Sequence, residues 1–429
     1  MIRKLRRTRL FEIEQCINLL FLCKWLFLGS IVGALAGSAS AILLISLDQA
    51  TDFRENNLWI IALLPIGGLI SGLLYYHFGQ RSEKGNNLLL EEYHHAEQTI
   101  PLRMAPLVLI GTIITHLFGG SAGREGTAVQ MGGALSDQFG KWFKLNAHDR
   151  KIIIVMGISA GFASVFGTPL AGAIFALEVL VLGKIRYEAI LPSFIAAVIG
   201  NYVCNLWPID HSHYHIPFVP ELTPTRLAWT AAAGILFGLA AMLFSKSTHG
   251  FGSLFKKHIG YAPARPLIGG AVLAIIIYFI GTTKYIGLGI PTIEASFVDS
   301  MNSYDFLIKI AFTAFTIGAG FKGGEVTPLF FIGATLGNAM VWLIPLPMPL
   351  LAGMGFVAVF AGATNTPIAC TLMGIELFGA DCGVYVAIAC VVAYLFSGHT
   401  GIYSSQIIGA PKHRFYKKFK GLHLKDAKH

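Results

Sequence analysis

Apolar residues run along this chain in long, nearly unbroken stretches, at 17–47, 58–76, 152–182, 190–207, 227–244, 267–280, 306–320 and 369–396. Their length and continuity read as helices with apolar surroundings on every side. Several exceed the roughly 20 residues an α-helix needs to cross the hydrocarbon core of a bilayer. Two more, 106–118 and 349–361, hold 13 residues each and are too short to stand upright across it. Such segments occur at membrane depth inside protein, as re-entrant or half helices. The pattern predicts an all-α polytopic membrane protein with broken helices, a construction that belongs to transporters and channels.

Composition agrees with a bilayer as solvent. Of 429 residues, 54% are hydrophobic and 13% charged, with a mean hydropathy of +0.64, outside the usual range of soluble chains. A net charge of +9 raises a nucleic-acid partner, but the charge sits at the ends. Arg3, Lys4, Arg6, Arg7 and Arg9 fall in the first ten residues, and 412–429 carry seven Lys or Arg against one Asp. Basic segments beside apolar spans mark the cytoplasmic side, so both termini are expected inside, with an even number of crossings and no nucleic-acid partner. The first apolar run is too long for a signal peptide and lacks a small-residue cleavage site, so it should be retained. Six cysteines form no CxxC pair, which offers neither a disulfide framework nor a metal site.

The chain repeats itself. Gly123-Arg124-Glu125 followed by Gly133-Ala134 matches Gly323-Gly324-Glu325 followed by Gly333-Ala334, an offset of 200; Thr168-Pro169 with Glu178 matches Thr366-Pro367 with Glu376, an offset of 198. Gly85 and Gly287 open Gly-rich turns 202 apart. Three matches in one order predict a duplicated unit of about 200 residues. The expected organisation is a basic segment 1–15, a first half 16–244, a polar basic linker 245–265, a second half 266–408 and a basic tail 409–429. If each half crosses an odd number of times the second is inverted, and equivalent broken helices face each other near the midplane.

Gly-rich segments interrupt the apolar pattern at Gly85-Asn86-Asn87, Gly119 to Gln130 and Gly318 to Pro328, each ahead of a helical stretch. Glycine lets the backbone turn and approach a ligand, and the helix start behind it presents unpaired N–H groups and the positive end of a dipole. Two or three such starts converging would make an anion site without a buried Lys or Arg. Glu125 and Glu325 lie in these segments, and a carboxylate at bilayer depth is costly unless paired, hydrated or protonated. Ionised, such a group occupies the anion site itself; protonated, it can leave with its proton, coupling the two movements.

These residues resemble the CLC family of chloride channels and anion/proton antiporters over nearly the whole chain. The family's GSGIP is represented by Gly85-Asn86-Asn87-Leu88-Leu89, its GREGP by Gly123-Arg124-Glu125-Gly126-Thr127 and its GxFxP by Gly324-Glu325-Val326-Thr327-Pro328, in the family's order. Tyr403 matches its anion-coordinating tyrosine. The departures are informative. Asn86 stands at the coordinating serine, Glu325 brings an acid into the third signature, and Val179 stands at the inner proton-relay glutamate. Together they resemble the fluoride/proton antiporter branch.

Fluoride is small, tightly hydrated and a strong acceptor, so its site must supply well-aimed donors. The Asn86 amide offers two where serine offers one. Thr127, Thr327 and Tyr403 can add hydroxyls, and Glu125, Gly126, Val326 and Thr327 can add backbone N–H groups. Two carboxylates near an anion repel it and each other, so the two acids are expected to share a proton at rest; the expected mechanism has Glu125 carrying a proton inward as fluoride leaves while Glu325 fixes coupling and selectivity. The resemblance also implies a homodimer with one pathway per subunit in the lipid of the plasma (inner) membrane.

A chloride/proton antiporter or passive CLC channel is the nearest alternative. A membrane enzyme is disfavoured because HExxH and the Walker glycine loop are absent; no catalytic residue, metal or cofactor is expected. After Ile408 a basic stretch of about 20 residues follows, too short for a sensor domain. Glu178 and Glu376 read as capping or polar packing residues, His211, His213 and His215 as surface groups, and His116 and His399 as packed histidines.

Overall fold

The computed structural model describes residues 14–95, 98–212 and 214–427. The basic N-terminal residues up to 13 and His213 lie outside them. Among the described residues the chain is helical nearly throughout, with sixteen α-helices. They divide into two series of eight. The first is α1 (Glu14–Asn56), α2 (Leu64–Phe78), α3 (Asn86–His94), α4 (Met104–Leu117), α5 (Glu125–Trp142), α6 (Ala147–Phe166), α7 (Pro169–Glu178) and α8 (Ile190–Cys204). The second is α9 (Pro224–His258), α10 (Ala264–Ile280), α11 (Ile290–Ala295), α12 (Asp305–Gly318), α13 (Val326–Ala339), α14 (Met348–Thr364), α15 (Pro367–Phe378) and α16 (Gly383–Phe396). Each series opens with its longest helix; α1, at 43 residues, is about 65 Å long and must tilt or protrude.

The repeat seen in the sequence has a local cause. α6 ends at Gly167 and α14 at Asn365, both left-handed, with φ of +73° and +61°. Thr168 and Thr366 follow, and Pro169 and Pro367 open the next helix, where a missing N–H costs nothing. The other repeated residue of this motif does something the sequence suggested only in outline. The Glu178 carboxylate, at the end of α7, accepts from the N–H groups of Ile368 at 3.2 Å and Ala369 at 2.9 Å, at the start of α15. Glu376 accepts from Leu170 at 2.9 Å and Ala171 at 2.8 Å, at the start of α7. Each half thus supplies the acid that satisfies the other's orphan helix donors.

That reciprocity makes α7 and α15 antiparallel neighbours. A second pair lies at the centre, where Gly123 and Gly324 exchange N–H···O bonds of 2.6 Å in each direction as an antiparallel bridge. Equivalent elements facing one another in opposite directions are related by an axis perpendicular to them, so the two halves are inverted.

The expected boundary at 244/245 falls inside α9. Residues 245–258, placed in a linker by their polar and basic character, continue that helix to His258, with Ser245 and Thr248 bonded back to the carbonyls four residues earlier. Between the two series, the described residues 205–212 and 214–223 are outside any α-helix. At the other end the tail folds back: β2 (Ile407–Ile408) pairs in parallel with β1 (Val181–Leu182). Residues 421–425 then return along it, through bonds including Leu424 N–H to the Gln406 carbonyl at 2.9 Å.

Candidate functional site

Three helix starts meet at the inverted-repeat axis. α3 begins directly after Gly85, whose φ of +56° with ψ of −136° suits glycine alone. α5 begins at Glu125 and α13 one residue after Glu325. Their closeness is measured at Gly126, where an added β-carbon would lie 3.0 Å from Asn86 Nδ2 and 3.1 Å from Gly324 Cα. Unpaired donors and dipole ends of α3, α5 and α13 are thereby concentrated in a small volume.

The Glu125 side chain sits there fully buried. The Thr327 backbone donates to its Oε2 at 3.0 Å, and the Thr327 hydroxyl lies 2.7 Å from both carboxylate oxygens, with one proton to give. The Arg124 N–H adds a bond of 3.2 Å, and Arg124 Nε stands 3.7 Å from Oε1. The carboxyl group is held by donors from both halves of the molecule.

On one side of this point lies a cavity of 460 Å³ lined by Asn86, Gln130, Lys322, Glu325 and Tyr403 among others. Asn86 is 9% exposed, and its Oδ1 is buried without a hydrogen-bond partner. Asn87 is committed elsewhere, its Oδ1 accepting from Ser405 N–H at 2.9 Å. Ser405 Oγ also reaches Glu91 at 3.1 Å, so the segment carrying Tyr403 is moored to α3 two residues beyond the tyrosine. Lys322 places its Nζ 4.1 Å from the centre of the Tyr75 ring.

Some expected residues are arranged differently. The Thr127 hydroxyl pairs with that of Thr112 at 2.7 Å, and its N–H is taken by the Arg124 carbonyl at 3.1 Å, so Thr127 serves the packing of α5 on α4. Val326 is the first residue of α13 and is buried. Glu325 lines the cavity, whereas the bonds to Glu125 come from Thr327 and Arg124. A proton held between the two acids is therefore not the arrangement here; each faces a different environment.

Sequence reasoning missed Gln130, which stands beside Gly85 and is 6% exposed. It also missed two buried cations. Arg54 donates to the His116 carbonyl at 2.7 Å. Lys309, fully buried, donates to the carbonyls of Tyr285 at 3.1 Å and Gly287 at 3.0 Å. The available signal was a lone lysine in the apolar run 306–320, of a kind that is rarely idle at membrane depth.

Comparison with known proteins gives a consistent result. A family model described as voltage gated chloride channel matches residues 67–398. A chloride/fluoride channel protein of Pseudomonas syringae pv. tomato is 52% identical over 410 residues, covering 93% of this chain and 90% of that protein. A crystal structure of a CLC-type fluoride/proton antiporter superposes with a TM-score of 0.87 at 37% identity, covering 90% of this chain and 98% of that one. A slow cyanobacterial Cl−/H+ antiporter superposes with a TM-score of 0.72 at 21% identity over 88% of this chain and 94% of that one, a likeness of fold.

Proposed function

The chain belongs to the voltage-gated chloride channel family, and within it we propose that it is a secondary active fluoride/proton antiporter, exporting fluoride in exchange for inward protons. The observation that carries this reading is the Glu125 carboxylate, buried in a nest of donors that an anion would equally use. Carboxylate and fluoride are alternative occupants. When Glu125 takes a proton it loses the charge those donors hold, leaves, and gives up its place to fluoride arriving from the cavity. Its return without the proton expels the ion on the opposite side.

The donors suit fluoride. Asn86 at the start of α3, the Thr327 N–H and hydroxyl, the Gly126 N–H, and Tyr403 on the cavity wall are strong or charge-compatible donors in a low-dielectric setting. Glu325, on the cavity wall just ahead of α13, can donate when protonated and repels anions when it is not, which is how it would fix coupling. The cavity face also carries Lys84, Lys256, Arg265 and Lys322, and by the positive-inside rule it is the cytoplasmic face. Both termini on that side, a plasma-membrane location and a homodimer with one pathway per subunit complete the proposal.

Proteoliposomes loaded with fluoride and chloride, followed with ion-selective electrodes and a pH probe, test it. Fluoride efflux matched by proton uptake, with little chloride release, is expected. Chloride release as fast as fluoride would replace the reading by an ordinary CLC chloride/proton antiporter, or by a passive channel if pH stays constant. Glu125→Gln should block or uncouple exchange; unchanged proton movement at the normal ratio would remove Glu125 from the mechanism.

A further inference from the structure

Pairing the buried charges leaves an imbalance. Among the described residues, the buried acids away from the site are matched: Asp137 and Glu92 by Arg150, Asp305 by Lys284 and the Tyr285 hydroxyl, and Glu178 by the α15 start. The cations are matched less well. Among the described residues Lys309 is the one fully buried lysine, and its hydrogen bonds go to two carbonyls. Arg54, 4% exposed, donates to the His116 carbonyl at 2.7 Å and to its ion-pair partner Glu55 at 3.4 Å, an acid whose side chain is 61% exposed, and leaves its Nε unpartnered. A buried charge without a counter-charge is unfavourable by several kcal/mol, so Lys309, whose partners are neutral carbonyls, stands in need of an anion.

Its location shows which one. Arg54 and Lys309 bracket a single turn, 285–289, since an added β-carbon at Gly287 would lie 3.0 Å from Arg54 Nη1, and Lys309 Nζ bonds the Gly287 carbonyl. That turn is the repeat counterpart of Gly85-Asn86, and it is tied by the Gly287 N–H to the Gly120 carbonyl at 3.0 Å, in the loop that leads to Glu125. His116, fully buried near the end of α4, gives its carbonyl to Arg54 just ahead of the same loop. Gly123, within that loop, abuts Glu125, whose Oε2 is 3.0 Å from where a Gly123 β-carbon would be. These two cations and the central anion position therefore stand on either side of one short loop.

We propose that Lys309, assisted by Arg54, is the fixed counter-charge of the central anion position: a positioning residue whose field stabilises whichever anion, carboxylate or fluoride, occupies the nest of Thr327 and Arg124 donors. The inference rests on the proposed fluoride transport and adds an affinity-determining residue outside the family signatures. The first half has Leu109 at the position 200 residues before Lys309, so the charge is placed on one side of the axis only and gives the path an electrical direction.

Calorimetric fluoride titration of the purified protein, with proteoliposome efflux alongside, tests it. Lys309→Met, similar in length and uncharged, should weaken fluoride binding about tenfold and raise KM more than it lowers kcat, while Lys309→Arg should restore affinity to within about threefold. A purely architectural lysine would instead lower yield and thermal stability with fluoride affinity unchanged, and that result in folded Lys309→Met overturns the proposal. If Lys309→Met does not purify as a folded species, Arg54→Gln carries the test: a severalfold weaker fluoride affinity supports the field, and an unchanged one refutes it. Wild-type protein that neither binds nor moves fluoride would fail the functional reading itself, a result distinct from either variant outcome.

Discussion

Thr327→Val removes one proton and little else. Valine matches threonine in shape, so α13 should still start where it does, and the Glu125 carboxylate keeps the Thr327 backbone N–H at 3.0 Å and the Arg124 N–H at 3.2 Å. What it loses is the hydroxyl 2.7 Å from both oxygens. A hydrogen bond to a charged acceptor contributes about 1.5–3 kcal/mol, and each 1.4 kcal/mol is about tenfold in affinity. If fluoride takes the place of the carboxylate and uses the same donor, its KM should rise about 10- to 100-fold. Thr327→Ser, which keeps the hydroxyl, should stay near wild type. The assay is the initial rate of fluoride efflux from vesicles over a range of internal fluoride, with protein folding checked by size exclusion. A folded Thr327→Val protein whose KM stays within about threefold of wild type while its kcat falls would show that the hydroxyl serves the carboxylate alone, and would refute the idea of one seat with two occupants.

Three further outcomes are expected. Gly126→Ala should lower transport at least about tenfold, because its methyl would press on Asn86 Nδ2 and Gly324 Cα at 3.0 and 3.1 Å, tighter than ordinary van der Waals contact; wild-type rates in this variant would mean the three starts can part freely. Glu178→Gln puts an NH₂ against an N–H of α15 and should cost about 1–3 kcal/mol of stability, seen as a lower melting temperature in detergent, with the fluoride-to-proton ratio unchanged. An altered ratio would move Glu178 into the proton route. Asn86→Ser should lower the preference for fluoride over chloride about tenfold or more, measured with both electrodes on the same vesicles; an unaltered preference would show that the amide does not select.

Much of the site could be read from the sequence because glycine, acid and proline are local instructions. Gly85, Glu125 and the Thr-Pro pairs act within a few residues of themselves, and their spacing survives in linear order. The rest depends on residues that meet only after folding. Arg54 and Lys309 lie 255 positions apart and converge on a turn that belongs to neither of their helices. Thr127, named as a donor because its type and place were right, turned out to be engaged by Thr112, a neighbour no spacing rule points to. The linker expected at 245–265 was inferred from polarity, but a helix that projects beyond the hydrocarbon can carry Lys256 and Lys257 in its last turn without breaking and even benefits from them.

The reciprocal acids at the ends of α7 and α15 bear on how the chain is made. While the ribosome has delivered only the first half, the N–H groups of Leu170 and Ala171 have no acceptor, because Glu376 is about 200 residues behind them, and an unsatisfied donor inside lipid is costly. The first half is then incomplete at the start of α7 until the second half arrives upside down beside it. Closing the two halves on each other is therefore expected to be a late step in assembly, and chains truncated before residue 376 are expected to be cleared by membrane proteases as fragments that never sealed.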